Sequence, residues 1–281
     1  MFIVHFTSGL GNQLFQYNFG QFLKQNFDKE EVFYANSLLP PKQISIWDIF
    51  NNDINWIRNK NNNEDIFSLK KFLRVSSLKL SIRLNFSKLF NIYSDENFDK
   101  INFFKNNKKL SFYGYWQKSA FYKDPITDIT KSLKFNKQVL LRDILPMNLK
   151  DKILIAIHIR GGDYLNPKNK KVFVNLKSDY YKQNIKKISS SFSNTCFLIF
   201  SDDYEYARYL IYNMDEQIYF MDSFNKNSLN DFQLLSQCDH FILSNSTFAW
   251  WAEKFSNQKK EKITIYPKDW FLDNNEYFNL D

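Results

Sequence analysis

A histidine, an arginine and a carboxylate lie close together in His158-Ile159-Arg160-Gly161-Gly162-Asp163, and each suits a different piece of chemistry. A guanidinium is planar and permanently charged, with a fork of donors that matches phosphate oxygens. Imidazole and carboxylate groups hold or move protons near neutral pH when suitably tuned. Three more polar groups stand out: Ser201-Asp202-Asp203, Asp222, and Ser244-Asn245-Ser246-Thr247. Ser246 and Thr247 open a helical pattern, where hydroxyls and N–H groups without intrahelical acceptors favour an anion. Gathered in one place, these residues would hold a nucleotide diphosphate. Taken singly, each also has a structural use: Ser246 and Thr247 as helix caps, Asp202 and Asp203 as caps for a helix starting near Tyr204, and His158 as a hydrogen-bonded core histidine. There is no Asp-x-Asp pair, and His5, His158 and His240 lack metal-ligand spacing, so the expected reaction needs no metal.

A parallel sheet would do the gathering. From Ile153 onward, apolar runs alternate with helical patterns: strands at Ile153–Ile159, Thr195–Phe200, Gln217–Met221, His240–Leu243 and Lys262–Tyr266, and helices from Ser178 (as N-cap), Tyr204, Ser228 and Thr247. Such alternation predicts right-handed crossovers and a Rossmann-like sheet covered on both faces. The carboxyl ends of its strands are where ligands bind, and all the polar groups above fall there.

The first half carries the same logic with more irregular links. Phe2–Phe6 reads as a strand ending near His5, followed by Thr7-Ser8-Gly9-Leu10-Gly11-Asn12-Gln13 and a helical pattern through Leu23. Glycines there let a ligand approach the backbone, while Asn12 and Gln13 stand where a dinucleotide fingerprint would have its third glycine. Glu31–Ala35 and Leu110–Trp116 read as further strands, and Asp124-Pro125 has the form of a helix N-cap followed by proline. Tyr115, Trp116 and Gln117 fit a sugar-facing surface or an aromatic core corner. The expected architecture is α/β, two Rossmann-type domains facing a cleft, divided into 1–147 and 148–281 with Leu145-Pro146-Met147 as the linker.

Composition sets outer bounds. The 281 residues are 44% hydrophobic and 19% aromatic, which excludes a disordered chain, and the net charge of +8 favours anionic partners without naming them. Two cysteines are too few for a disulfide framework and read as free thiols. No apolar window reaches spanning length and no basic leader precedes one, so the expected location is cytoplasmic. Ser68–Phe90 interleaves Lys70, Lys71, Arg74, Lys79, Arg83 and Lys88 with apolar residues. That pattern suits either a core-facing helix or peripheral contact with the inner membrane face. A nucleic-acid binder would alternate stacking residues along a basic groove; here the aromatics cluster in two runs, so no nucleic-acid partner is expected.

The motifs Gly9-Leu10-Gly11-Asn12-Gln13-Leu14-Phe15-Gln16-Tyr17, Gly114-Tyr115-Trp116-Gln117, His158-Ile159-Arg160-Gly161-Gly162-Asp163-Tyr164, Phe200-Ser201-Asp202-Asp203, Ser244-Asn245-Ser246-Thr247-Phe248-Ala249-Trp250-Trp251 and Pro267-Lys268-Asp269-Trp270-Phe271 occur in this order along the chain. Together they resemble the bacterial α-1,2-fucosyltransferases of glycosyltransferase family 11. The resemblance implies an inverting, metal-independent transfer of L-fucose from GDP-fucose to the 2-hydroxyl of a galactose, on an oligosaccharide or lipid-linked glycan. It implies a GT-B-like pair of domains and places GDP-fucose in the second half, with Arg160 at the β-phosphate, His158 lining the nucleotide site, Asp231 at the guanine edge and Ser246 and Thr247 at the phosphates. Asp202, Asn245 and Phe248 join that donor set. Asn12 would face the reacting centre, and His5, Tyr115, Trp116 and Gln117 would stand on the acceptor side. Asp163 is the best-placed carboxylate for the base, with His5 as its rival. One position departs from the family pattern: Gly161 stands where a second arginine is usual. Related protein fucosyltransferases carry a glutamate shortly after this motif, and here 165–177 has no carboxylate. A protein hydroxyl as acceptor and a non-enzymatic nucleotide-binding module are the alternatives.

Overall fold

The structure is a computed structural model that describes residues 1–27, 31–36, 39, 43–51, 92–95, 98, 110–121, 128–223, 228–256 and 262–272. The chain divides between Asn136 and Lys137 into two compact units, each built on a parallel sheet.

In the first unit the strands are β1 (Phe2–His5), β2 (Val32–Ala35), β3 (Ile92–Ser94) and β4 (Leu110–Tyr113), in the order β2-β1-β4-β3. Every pairing is parallel. β1 is buried along its whole length, as expected of a strand covered on both faces. Helix α1 (Leu10–Asn26) follows it after the predicted Gly turn and buries Leu14, Phe15, Phe19 and Leu23 completely. Phe19 stacks flat on Trp116 with ring centroids 3.7 Å apart, and Phe98, Phe112 and Phe121 meet Trp116 edge-on. The strand expected over Leu110–Trp116 therefore stops at Tyr113, and Trp116, with φ of +56°, turns back into the core.

The second unit holds β5 (Ile153–Ile159), β6 (Thr195–Ser201), β7 (Ile218–Phe220), β8 (His240–Ile242) and β9 (Thr264–Ile265), in the order β7-β6-β5-β8-β9 and all parallel. The crossovers carry α2 (Ser178–Ser191), α3 (Tyr204–Leu210), α4 (Ser228–Leu235) and α5 (Thr247–Lys254). Side chains alternate between the faces of a strand. Ile155, Ile157 and Ile159 thus join Phe197, Ile199 and Ile242 on one face, against Tyr181, Ile185 and Ile188 of α2 and Ala207 and Leu210 of α3. The alternation sends His158 to the opposite face, where Phe248 of α5 meets Phe232 of α4. Ser178 is not a cap: α2 begins at it, and its hydroxyl donates to the Leu210 carbonyl, tying α2 to the end of α3.

Two polar ties brace this unit. The Asp239 carboxylate accepts from the Leu154 N–H at 2.9 Å and lies 3.3 Å from Arg142. Buried Glu253 faces Lys262 at 2.6 Å and Lys254 at 3.2 Å and accepts from Tyr266 Oη at 2.7 Å, fastening α5 to the segment around β9. Cys196 and Cys238 are free and buried, and burial raises the Cys196 thiol to about 11.

Among the described residues no helix is long and apolar enough to cross a membrane. The basic segment Ser68–Phe90 and the helix cap expected at Asp124-Pro125 lie outside the described residues.

Candidate functional site

The chain runs outward from β5 through β6 to β7 on one side, then returns to β8 and β9 on the other. The switch point of an open parallel sheet is the crevice at the carboxyl ends of the strands where the order reverses. Here it lies between β5 and β8. The register pairs Ile157 with Ile242, so the residues that leave β5 (Arg160, Gly161) and β8 (Ser244, Asn245, Ser246) emerge beside each other.

His158 is buried just below, with Nδ1 2.7 Å from Ser244 Oγ. Burial, and then the charge of Arg160, lowers its pKa to about 3, so the ring is a neutral hydrogen-bonding group across the working pH range. The Phe248 ring lies beside it, tilted by 37° with ring centroids 6.1 Å apart.

Arg160 is held on three sides. Its guanidinium lies 2.5 Å from Asp163 and 2.5 Å from Asp202, and 5.2 Å above the Tyr164 ring. A guanidinium has five N–H donors, so two carboxylate contacts leave donors for a third anion. Burial above all raises the Tyr164 hydroxyl to about 12, which keeps it a neutral donor, and it bonds to the Asn245 carbonyl at 3.0 Å.

Asp202 also fixes the loop backbone, its carboxylate accepting from the Gly161 N–H at 2.8 Å. A Cβ at Gly161 would stand 2.7 Å from Asp203 Cβ and 3.1 Å from the Tyr206 ring, and one at Gly162, with φ of +34°, would meet Asp202 at 2.6 Å. The two glycines let the loop press onto the end of β6. Asp203 serves as the cap of α3, accepting from the Tyr206 N–H at 3.0 Å. Asp222 pairs with Arg208 at 2.7 Å. Asp231 stands in the first turn of α4, and its charge adds to burial in raising the Tyr204 hydroxyl.

Ser246 is the N-cap residue of α5, but its hydroxyl makes no capping bond. That leaves the hydroxyl and the first N–H groups of α5 at the switch point, where an anion is favoured. Asn245 does something else: its side-chain amide donates to the Val174 carbonyl at 2.9 Å and the Trp270 carbonyl at 3.0 Å.

The first unit has its own switch point, between β1 and β4. The buried Gln16 side chain spans it, accepting from the Thr7 N–H at 3.0 Å and donating to the Gly114 carbonyl at 2.8 Å. Asn12 Oδ1 accepts from Gln117 Nε2 at 2.8 Å, and His5 stacks on Tyr113 at 4.0 Å. Tyr115 is 49% exposed, whereas Trp116 has no exposed surface. Trp116 is thus sealed in the aromatic core, and only Tyr115 and Gln117 of that motif remain near the surface.

A family model described as Glycosyl transferase family 11 matches residues 1–278. The chain belongs to that family. Among its curated relatives, an O-antigen biosynthesis glycosyltransferase, WbnK of Escherichia coli, is 34% identical over 122 residues, 43% of this chain and 40% of the relative. An alpha-1,2-colitosyltransferase of Escherichia coli is 28% identical over 58% of this chain and 56% of its own length. The galactoside alpha-(1,2)-fucosyltransferase 1 of Plecturocebus brunneus is 26% identical over 47% and 35%. The chain thus spans about half the length, or less, of these relatives. Two solved structures share its fold: the NodZ alpha-1,6-fucosyltransferase soaked with GDP-fucose, at 12% identity and TM-score 0.52 over 91% and 92% of the two chains, and POFUT1 in complex with GDP, at 10% and 0.52 over 95% and 98%. The α/β, GT-B-like expectation holds.

In this family 11 chain, Gly161 has a physical reason. A side chain there would run into Asp203 and the Tyr206 ring and push the loop off the end of β6, where Asp202 orients Arg160. Gly161→Arg, which supplies the family's usual residue, is therefore expected to lower activity. Gly161→Ala should cost about 1–3 kcal/mol of stability through overpacking, checked as a fall in denaturation midpoint. Sequence reasoning gave Ser244, Tyr164 and Gln16 no role of their own, although each lies inside a motif it singled out. The usable signal was position: Ser244 stands two residues past the end of β8, level with the end of β5.

Proposed function

We propose that this family 11 glycosyltransferase is an inverting fucosyltransferase, moving L-fucose from GDP-fucose to the 2-hydroxyl of a galactose in an oligosaccharide or lipid-linked glycan on the cytoplasmic side of the membrane. The observation that carries the reading is the convergence of Arg160 and the start of α5 at one switch point. The relatives named for alpha-(1,2)-fucosyl transfer and the GDP-fucose soak of a fold neighbour support the donor and the linkage.

Cleaving the bond between fucose and GDP leaves charge on the β-phosphate and oxocarbenium character on the sugar. Preorganised donors aimed at that charge lower the barrier most. Arg160 takes the β-phosphate with its remaining donors, Ser246, Thr247 and the N–H groups of α5 take the diphosphate, and Asp231 reads the guanine edge. His158, neutral and fixed on Ser244, lines the site without taking a proton. Asp163, 57% exposed at its carboxylate, is the base proposed for the acceptor hydroxyl; a loose transition state asks little of it. In the first unit, Asn12 with Gln117, His5 stacked on Tyr113, and exposed Tyr115 form the proposed acceptor side.

GDP is expected to raise the thermal midpoint, since a ligand at a hundred times its Kd adds about 2.7 kcal/mol, while single-stranded oligonucleotides leave it unchanged. EDTA should change neither the GDP shift nor turnover. Loss of the shift in EDTA, or a shift with oligonucleotides alone, contradicts the reading. One relative is named for colitosyl transfer, so GDP-colitose belongs beside GDP-fucose in the donor panel.

A further inference from the structure

With Arg160 at the donor, a phosphate on its remaining N–H groups pulls the guanidinium against its two carboxylate contacts, and a support independent of them keeps the side chain in place. The structure contains a brace for it. The segment after Arg160 folds through short 3-10 turns at Gly162–Leu165 and Asn169–Lys171 and then runs beside the segment around Trp270. Val174 N–H donates to the Trp270 carbonyl at 3.1 Å, and Leu272 N–H to the Val172 carbonyl at 2.9 Å. The Phe173 ring stacks on Tyr164 at 4.4 Å and meets Phe271 at 5.3 Å.

Both strands of this strap are tied to one residue at the switch point. Asn245 donates to Val174 on one side and to Trp270 on the other, and its own carbonyl accepts from Tyr164 Oη. Tyr164 in turn lies under the Arg160 guanidinium. The side-chain amide of Asn245 therefore has both N–H donors committed to backbone carbonyls.

We infer that Asn245 and Tyr164 are positioning residues, which lock the 162–175 strap and the 270–272 segment to the end of β8 so that Tyr164 presents a fixed aromatic platform beneath Arg160. The inference rests on Arg160 acting at the donor diphosphate. The platform is independent of the two carboxylates, so it still holds the guanidinium when a phosphate draws it away from Asp163. An aromatic face beneath a guanidinium also favours the cation directly. Aspartate at position 245 would present only acceptors to the two carbonyls and release the strap. Phenylalanine at position 164 would keep the platform and cut its tie to Asn245.

The test is a double-mutant cycle on the full chain with Arg160→Ala, Asn245→Asp and Tyr164→Phe, reading kcat, KM for GDP-fucose and the ratio of GDP to GMP affinity. Asn245→Asp is expected to lower kcat 10- to 100-fold and to shrink the preference for GDP over GMP, with Tyr164→Phe showing a smaller loss of the same kind. In the Arg160→Ala background both added losses should fall below threefold, because the residue they position is gone. Full, multiplicative losses in that background would overturn the inference, as would an unchanged GDP-to-GMP ratio in Asn245→Asp. If Arg160→Ala itself leaves turnover and GDP affinity intact, the donor-site reading fails instead, which separates the two failures. Should Asn245→Asp not fold, Tyr164→Phe carries the same cycle alone.

Discussion

Arg160→Ala is expected to reduce the proposed fucosyl transfer by about 100- to 1,000-fold, the scale set by removing a preorganised donor from developing charge, with the fold intact. The Arg160 side chain is 30% exposed, and the side chains it leaves behind at Asp163 and Asp202 are 57% and 31% exposed. Water can solvate both, so the stability change should stay within about 1 kcal/mol. Arg160→Lys should rescue little, since a lysine offers a point charge in place of a fork and cannot meet Asp163, Asp202 and a phosphate in one plane. Steady-state turnover with GDP-fucose checks the first expectation and a denaturant titration the second. Turnover in Arg160→Ala within tenfold of the parent would remove Arg160 from the mechanism.

The second large effect is on stability. Glu253 is almost wholly buried at the end of α5, with Lys262 only 15% exposed beside it. Burial pushes the Glu253 carboxyl upward, but Lys254, Lys262 and the Tyr266 hydroxyl outweigh it and bring the carboxyl below its ordinary value. Removing one member of a buried pair leaves the other charge uncompensated, at a cost of about 3–5 kcal/mol, which is a large share of a domain's net stability. Glu253→Gln should therefore lower the urea midpoint strongly at pH 7. The sign of the pH dependence follows from the lowered value. A carboxyl whose folded pKa is depressed stabilises the protein above its unfolded pKa, and that contribution is lost as the pH falls through the folded pKa. The gap between parent and Glu253→Gln should thus be widest near neutrality and close as the pH drops through the acid range. A gap that widens in acid would contradict the assignment.

How much of this was legible in the sequence depends on what set each feature. The strands ILIAIHI and TCFLIFS were plain because a doubly covered parallel strand must be apolar almost throughout. Once they alternated with helices, the gathering of Arg160, Asp202 and Ser246 at one edge followed from topology. The pairings made by those side chains did not follow. That Arg160 meets both Asp163 and Asp202 depends on Gly161 and Gly162 letting the loop touch β6, a contact between segments far apart in the chain. Asn245 sits in a motif that suggested the donor, yet its amide is taken by carbonyls of two distant loops. Trp116 stands between a tyrosine and a glutamine as a sugar-binding ring would, but its positive φ turns it into the core against Phe19. Local sequence names the residue type and the element; which way a loop side chain faces is decided by tertiary contacts.

Fucosyl transfer from GDP-fucose to the 2-hydroxyl of galactose is met head-on by a product analysis. The purified protein is incubated with GDP-fucose and a panel of galactose-terminated sugars, with a folded protein acceptor as control, and the linkage is read by NMR. Stoichiometric release of GDP and a new α-fucosyl residue on O2 of galactose are expected, with no transfer to the protein. Fucose attached at another position, transfer to the protein hydroxyl alone, or no product with any acceptor would contradict the proposed reaction.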